Sequence, residues 1–221
     1  MASVAVIGGT GNLGRGITRR LAQAGHDVTI GSRAADKAQA AADELNSELG
    51  LTLRSGDNTE VAQGKDIVIV TVPYANQAAT LQQIAPLVGS AIVVDTTVPL
   101  VPPKVMRVQL PAAGCAALEG REHLGPDVRF VSAFHNVAAH VLDSAHKVEC
   151  DVLVFSDDVE ARKAIVELVN SMGLRGLAGG ALANSAAAEA LTSILIYMNK
   201  TYAADGAGIR FTNLTTAPPI P

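Results

Sequence analysis

Residues 4–14 read Val-Ala-Val-Ile-Gly-Gly-Thr-Gly-Asn-Leu-Gly, an apolar run that leads directly into a glycine-rich segment. The run predicts a β-strand, and the G-x-G-x-x-G spacing from Gly9 to Gly14 predicts a turn into a helix that binds a dinucleotide pyrophosphate. Gly9 permits the tight turn, Gly11 lets the backbone approach the phosphates, and Gly14 lets the helix pack close to the strand. The alternative is a structural turn that binds no ligand. The turn supplies five candidate cofactor-binding residues, which are Gly9, Thr10, Gly11, Asn12 and Leu13.

The end of the second predicted strand indicates which dinucleotide binds. Residues 27–30 form this strand, and it continues into Gly31-Ser32-Arg33. NAD-specific sites carry a carboxylate here that binds the ribose 2′-hydroxyl and would repel a 2′-phosphate. Ser32, Arg33 and Lys37 would instead bind the 2′-phosphate, because cationic side chains pair with phosphate. The sequence therefore predicts a site for NADP(H), although solvated surface charge is the alternative for Arg33 and Lys37.

Strand and helix patterns alternate along the rest of the chain, which is typical of a parallel sheet connected by crossover helices. We predict an α/β fold of the Rossmann type, with a doubly wound, mainly parallel sheet and a small C-terminal helical extension. The predicted strands cover residues 4–7, 27–30, 51–54, 67–72, 91–94, 129–132, 152–155 and 174–177.

The composition limits the possible partners. The chain has 221 residues, a formal net charge of −4 and two cysteines. We expect no nucleic-acid partner, because there is no basic field for a phosphate backbone.

The histidines and cysteines lack metal-ligand spacing, which predicts no metal site, and two thiols are ordinary in a reducing cytoplasm. A core strand that begins by residue 4 leaves no room for an export signal, and residues 181–202 are too polar for a membrane span.

Ligands of doubly wound sheets bind at the carboxyl ends of the strands, where the strand order reverses. We predict that Val72, Pro73 and Tyr74 border the nicotinamide, with a simple strand terminator as the alternative for Pro73 and Tyr74. The rule selects the segments that follow the strands, which are residues 8–13, 31–33, 72–75, 95–99 and 134–138.

A second substrate would meet the strand ends farther along the sheet. Thr97 and Pro99 are candidate wall residues for it. His135 is a candidate contact for the ring of this substrate or for its proton, and a buried structural histidine is the alternative. Asn136 and Val137 would share the same pocket. No other catalytic residue is predicted.

Together these motifs resemble those of the coenzyme F420-dependent NADP reductases, small enzymes that pass a hydride between a deazaflavin and NADP. The matching segments are Gly-Gly-Thr-Gly-Asn-Leu-Gly at 8–14, Gly-Ser-Arg at 31–33 with a basic residue at 37, Val-Pro-Tyr at 72–74, Ser-Ala-Phe-His at 132–135, Ala-Asn-Ser at 183–185 and Glu-Ala-Leu-Thr at 189–192. Asn136 and Val137 depart from the family pattern, which has Thr and Ile there. The resemblance implies NADP(H) and coenzyme F420 as small-molecule substrates, with direct hydride transfer and no catalytic triad.

The helix predicted over residues 181–202 is apolar on more than one face, which is typical of a buried helix. We expect it to pack on the sheet and on a second subunit, which would make the protein a homodimer. Residues 1–179 would then form the NADP-binding Rossmann domain, and residues 180–221 a helix and tail that complete the acceptor pocket and the dimer interface. The part after Arg210 is predicted to be a loosely attached end.

Two alternative functions stay open at this point. One is an NADPH-dependent reductase of a flavin or another small acceptor, and the other is a non-enzymatic module that senses NADP(H). Short-chain dehydrogenases are disfavoured because none of the three tyrosines is followed four residues later by lysine. Imine reductases and β-hydroxyacid dehydrogenases are disfavoured because they carry a long helical second domain, whereas only about forty residues follow Gly180 here.

Overall fold

The computed structural model describes residues 1–144 and 146–214 of the chain. The strands within these ranges are β1 (Ser3–Ile7), β2 (Asp27–Ser32), β3 (Arg54–Asp57), β4 (Ile67–Val70), β5 (Ile92–Asp95), β6 (Arg129–Ala133), β7 (Asp151–Phe155) and β8 (Arg175–Gly180). The helices are α1 (Asn12–Gln23), α2 (Ala35–Leu49), α3 (Asn58–Val61), α4 (Tyr74–Ile84), α5 (Ala116–Glu122), α6 (Ala139–Leu142), α7 (Val159–Ser171) and α8 (Ser185–Thr201), with a 3₁₀ turn at Leu182–Asn184.

All of these strands form one sheet in the order β3-β2-β1-β4-β5-β6-β7-β8. The chain runs outward from β1 to β3, returns to the other side of β1 as β4, and continues outward from there. Neighbouring strands from β3 to β6 are parallel, whereas β7 is antiparallel to β6 and β8 is parallel to β7. The predicted Rossmann-type, doubly wound and mainly parallel sheet is confirmed, and its strand order reverses between β1 and β4.

The central strands are buried on both faces of the sheet. In β4, Ile67 and Ile69 belong to the core formed with α1, α2 and α7, whereas Val68 and Val70 belong to the core formed with α4 and α5. A strand covered on both sides needs apolar residues at consecutive positions. This is why the apolar run of β4 predicts a central strand correctly.

The prediction of a third strand at residues 51–54 is wrong in its position. The observed β3 begins at Arg54 and pairs in parallel with β2 as far as Asp57. The backbone of Leu53 is already occupied, because Leu53 N donates to Asn46 Oδ1 at 2.5 Å and Asn46 Nδ2 donates to Leu53 O at 3.3 Å. The side chain of Leu53 enters the core, but its backbone groups bind Asn46 instead of the sheet.

Helix α8 lies against the loop that follows β6. It begins at Ser185, after the 3₁₀ turn, and not at residue 181 as predicted. Asn136 Nδ2 donates to Ala188 O at 2.7 Å, and Thr192 Oγ1 donates to His135 O at 2.8 Å. These bonds hold α8 at the carboxyl end of β6, next to the segment predicted to meet the second substrate.

The chain beyond α8 runs along the start of β7. Asp151 N donates to Ile209 O at 2.8 Å, and Phe211 N donates to Asp151 Oδ2 at 2.6 Å. Arg175 Nη2 also donates to Phe211 O at 2.5 Å. The prediction of loose attachment after Arg210 is therefore wrong for Phe211, and its later part, residues 215–221, lies outside the described residues.

Residues 1–144 and 146–214 contain no candidate membrane-spanning helix, metal-binding cluster or disulfide. No helix there combines the length and the hydropathy that a membrane crossing requires. No group of three or more His, Cys, Asp or Glu side chains there is arranged to hold a metal ion. Cys115 and Cys150 are buried and free, so neither takes part in a disulfide.

Candidate active site

Three strand ends meet at the point where the strand order reverses. Gly9 N donates to Gly31 O at 3.0 Å, which ties the turn after β1 to the end of β2. Thr71 donates to Ile7 O at 2.9 Å from both its backbone N and its Oγ1, which ties β4 to the same turn. The predicted cofactor segments at 8–13, 31–33 and 72–74 are therefore brought together around one crevice.

The glycine turn has the geometry of an anion site. A Cβ at Gly14 would lie 2.6 Å from Gly9 Cα and 2.7 Å from Thr71 Oγ1, so only glycine permits this approach of α1 to the strands. Within the described chain no side chain caps the N-terminus of α1, and its first turn has no acidic residue. The first N–H groups of a helix bind anions when they are left free in this way. The exposed residues at this end are Thr10, Gly11 and Asn12.

The basic residues after β2 are exposed and available for a ligand. Arg33 and Lys37 form no ion pair with any described residue, and Lys37 lies in the first turn of α2. Ser32 is 7% exposed, and its Oγ accepts from Ala34 N at 3.3 Å. Asp57 pairs with Ser32 in register on the neighbouring strand, but its carboxylate accepts from Thr59 N at 2.9 Å and caps α3. The Thr59 hydroxyl also donates to Asp57 Oδ1, at 2.5 Å, and this bond together with the one from Thr59 N lowers the pKa of Asp57.

The turn after β4 faces the glycine turn. Val72 packs so closely on Gly8 that its Cγ1 would lie 3.0 Å from a Cβ at that glycine. Pro73 precedes α4 and is exposed, and Tyr74 begins the helix. The Tyr74 hydroxyl donates to Glu119 Oε2 at 2.7 Å. Burial and this carboxylate raise the pKa of Tyr74 to about 12, which keeps the phenol neutral.

The end of β5 carries a buried carboxyl group. Asp95 is 0% exposed, and its Oδ1 accepts from Thr97 N at 3.2 Å and from Thr97 Oγ1 at 2.6 Å. Its Oδ2 accepts from Gln77 Nε2. Burial raises the pKa of Asp95 to about 6. The two predicted wall residues, Thr97 and Pro99, are both buried, and Asp95 fixes the hydroxyl of Thr97.

The end of β6 lies beside that of β5, since Asp95 and Ser132 are partners in register. His135 is 5% exposed, and its Nε2 lies 2.7 Å from Ser132 Oγ. Its Nδ1 is buried without a hydrogen-bond partner among the described residues. Burial lowers the pKa of His135 to about 3, so the imidazole is neutral at neutral pH and cannot donate a proton as an imidazolium.

The loop after β6 turns sharply at Phe134. This buried residue has φ 67°, a left-handed conformation that costs a non-glycine residue about 1–2 kcal/mol. The next two predicted contacts are also buried, since Asn136 is 5% and Val137 is 8% exposed. The amide of Asn136 binds α8, so its first role in this conformation is to fix the loop to that helix.

Sequence reasoning missed two polar residues whose hydrogen bonds hold side chains at the ends of β4 and β5. Glu119 accepts from the Tyr74 hydroxyl, and Gln77 donates to Asp95. Nothing in the local sequence of Glu119 or Gln77 distinguishes them from surface residues of a helix. Asp95 carries a usable signal, because it is a carboxyl group directly after the apolar run at residues 91–94. Such a residue at the carboxyl end of a buried strand lies next to a ligand site in this type of sheet.

Comparisons with known proteins agree with this geometry. Residues 3–99 match the family model described as NADP oxidoreductase, coenzyme F420-dependent. The F420-dependent NADP reductase of Methanocaldococcus jannaschii is 36% identical over 96% of this chain and 98% of that protein. The F420-dependent NADP reductase of Methanothermobacter marburgensis is likewise 36% identical over 96% of this chain and 98% of its own length.

Solved structures share the fold. A crystal structure from Arthrobacter sp. FB24, provisionally assigned as an F420-dependent NADP reductase, has a TM-score of 0.79 with 20% identity and covers 96% of this chain and 100% of that one. An imine reductase variant from Myxococcus stipitatus, in complex with NAD⁺, has a TM-score of 0.65 with 17% identity and covers 92% of this chain and 62% of that one. The sequence matches along nearly the full length, together with the fold, establish that this chain belongs to the family of coenzyme F420-dependent NADP reductases.

Proposed function

We propose that this protein is an oxidoreductase that transfers a hydride directly between NADP(H) and coenzyme F420. Its relatives over nearly the whole chain bear the name F420-dependent NADP reductase. These relatives do not favour a flavin reductase or a sensor without turnover. The structural observation that carries the proposal is the glycine turn held between the ends of β2 and β4, where a dinucleotide binds in sheets of this topology.

The NADP half of the site would use three segments. The free N–H groups at the start of α1 would bind the pyrophosphate, with Gly9, Thr10, Gly11, Asn12 and Leu13 around it. The 2′-phosphate would bind Ser32, Arg33 and Lys37, and the two cationic side chains, Arg33 and Lys37, form no ion pair with any described residue. A charge-assisted bond of this kind is worth about 1.5–3 kcal/mol. The nicotinamide would lie along Val72, Pro73 and Tyr74.

The acceptor would bind across the neighbouring ends of β5 and β6, beside Thr97, Pro99, His135, Asn136 and Val137. The nicotinamide and deazaflavin rings supply the hydride chemistry when both are bound. The chain has to hold the two rings in contact, exclude water and avoid competing charges. Neutral groups suit this task. Tyr74 is neutral at physiological pH even at its ordinary pKa, and the lowered pKa of His135 removes the charge that an imidazolium would bring.

A homodimer through the exposed face of α8 would complete the acceptor side. Ile194 is 45%, Tyr197 54% and Met198 40% exposed, although all three are large and apolar. Apolar groups of this size on one helix face are typical of a surface that a partner covers. Residues 180–221 would then form the dimer and acceptor part, and residues 1–179 the NADP-binding domain. The free cysteines fit a cytoplasmic location, and the net charge of −4 fits small molecules better than nucleic acid.

Steady-state oxidation of NADPH with different acceptors tests the activity. We expect turnover with coenzyme F420 and much slower turnover with FMN. Faster turnover with FMN would support a flavin reductase. A protein that binds NADPH but turns over with neither acceptor would support the sensor.

A further inference from the structure

The short helix α5 connects the C-terminal helix with the crevice. Its Glu119 accepts from the Tyr74 hydroxyl at 2.7 Å, on the turn after β4. Its first carbonyl, Ala116 O, accepts from Gln77 Nε2 at 2.9 Å, and the same amide nitrogen donates to Asp95 at the end of β5. The position of α5 therefore influences two of the strand ends that border the ring-binding region.

The start of α5 is held by one side chain of α8. Glu189 Oε2 accepts from Ala116 N at 2.6 Å, and Glu189 Oε1 accepts from Ala117 N at 3.1 Å. A carboxylate that accepts from the first N–H groups of a helix forms charge-assisted bonds, which are short and directional. Glu189 is 1% exposed, so this contact is sealed from water.

The same helix also holds the loop after β6. One helical turn beyond Glu189, Thr192 Oγ1 donates to His135 O at 2.8 Å, and Asn136 Nδ2 donates to Ala188 O at 2.7 Å. Helix α8 is thus bonded to the acceptor side directly and to the nicotinamide side through α5. A displacement of α5 relative to α8 would change the separation of the two sides.

We propose that Glu189 is a positioning residue for hydride transfer, which holds α5 so that the turns at Tyr74 and Asp95 keep the nicotinamide and the acceptor ring at reacting distance. This inference rests on the proposed function. A role in packing alone would be served better by an apolar residue, because a buried carboxyl group is expensive to desolvate. Burial raises the pKa of Glu189 to about 7, and nearby Asp95 contributes to the same shift.

The test compares the single-turnover rate of hydride transfer with the affinity for NADPH. Glu189→Gln keeps the shape but can accept from only one of the two N–H groups, and Glu189→Ala can accept from neither. We expect the transfer rate to fall about 10-fold in Glu189→Gln and about 100-fold in Glu189→Ala, since a misplacement of ~1 Å has effects of this size. The NADPH dissociation constant should stay within about twofold, because phosphate contacts dominate it. Glu122→Gln changes an exposed residue at the end of α5, the helix that Glu189 holds, and is the matched control that should leave both values unchanged.

A second pair of variants separates positioning from loss of folding. Tyr74→Phe removes the donor and Glu119→Ala removes the acceptor of the hydrogen bond between α5 and the turn after β4, and both leave the Glu189 contact intact. If α5 transmits the effect, Glu189→Gln should slow transfer less in the Tyr74→Phe background than in the wild type. If the fold losses in transfer rate of Glu189→Gln and Tyr74→Phe simply multiply in the double variant, the inference is overturned. It is also overturned if Glu189→Gln folds and transfers the hydride at the wild-type rate. Absence of F420 turnover in the wild-type protein would instead reject the proposed function, so the two failures are distinguishable.

Discussion

The hydroxyl oxygen of Thr71 lies 2.7 Å from the point that a Cβ at Gly14 would occupy. The contact joins helix α1 to the end of β4 across the crevice. It is too short for any side chain at position 14, because real Cβ contacts are longer than this. The close approach of α1, and with it the direction of its first N–H groups, therefore depends on glycine.

Gly14→Ala is expected to lower the free energy of unfolding by about 1–3 kcal/mol, because the added methyl group must displace α1 or the Thr71 side chain. Urea denaturation measures this loss. NADPH affinity should fall as well, since the N–H groups at the start of α1 move with the helix. An unchanged unfolding free energy would contradict the observed packing.

Gly11→Ala separates binding from stability. A Cβ at Gly11 would meet only Gly8 O, at an ordinary 3.5 Å, so the variant should fold as stably as the wild type. It should nevertheless bind NADPH about 10-fold or more weakly, or ~1.4 kcal/mol, because the methyl group would stand where the pyrophosphate approaches the backbone. A fluorescence titration with NADPH gives the affinity. Wild-type affinity would show that the phosphates lie elsewhere.

Arg33→Ala tests the choice of NADP over NAD. The variant should weaken NADPH about 10- to 100-fold and barely affect NADH, because only NADPH carries the 2′-phosphate. Lys163→Ala, which removes an exposed cation of α7, is the control and should affect neither cofactor. Equal losses for the two cofactors in Arg33→Ala would reject the assignment.

Glu189 gives the stability a characteristic pH dependence. Burial raises its pKa from 4.5 in the unfolded chain to about 7 in the folded protein. Between pH 4.5 and about 7 the folded state therefore binds more protons than the unfolded state does. The contribution of this protonation to the free energy of unfolding is fully present below pH 4.5 and is lost as the pH rises through about 7. The wild-type unfolding free energy minus that of Glu189→Gln should fall from about pH 5 to pH 8 and then level off. His26 and His135 titrate in both proteins and cancel in this difference. Asp95, whose pKa is raised to about 6, repels Glu189 in the wild type only, and this repulsion adds to the fall. A difference that rose with pH would contradict the account.

Ile194→Glu tests the proposed dimer. A charge at this exposed apolar position of α8 should convert a dimer to a monomer, as measured by size exclusion with light scattering, because an unpaired charge is costly in an apolar interface. Val159→Glu changes a similarly exposed apolar residue of α7 and should leave the assembly unchanged. A wild-type protein that is monomeric at micromolar concentration would refute the dimer itself.

The parts of the fold that the sequence predicts well are those whose signal is local. The apolar run of β4 reflects burial on both faces, and the glycine spacing at 9–14 reflects backbone geometry within one turn. The edge strand β3 was harder to predict, because its residues Arg54–Asp57 are polar and the neighbouring apolar Leu53 is bonded to Asn46. A side chain from another element decides where that strand begins.

The candidate site likewise has one part that local sequence predicts and another part that depends on contacts between distant elements. Residues 9–13, 31–33 and 72–74 are recognisable because strand ends and turns have local signatures, and the structure brings these segments together. Two other contacts depend on the placement of α8, which lies far along the chain from its partners. Thr192 binds His135 O across 57 residues, and Glu189 binds Ala116 N across 73 residues. No pattern within a single element carries that information.

The central claim is direct transfer of a hydride between NADP(H) and coenzyme F420, and a single turnover with isotopically labelled NADPH tests it most directly. NADPH carrying deuterium at the transferable position of the nicotinamide is mixed with the enzyme and oxidised F420, and the products are analysed by mass spectrometry. We predict that the deuterium is recovered in reduced F420, with a primary isotope effect on the transfer rate and no loss to water. Recovery of the deuterium in solvent, or no reduction of F420 by a protein that binds both molecules, would contradict the account.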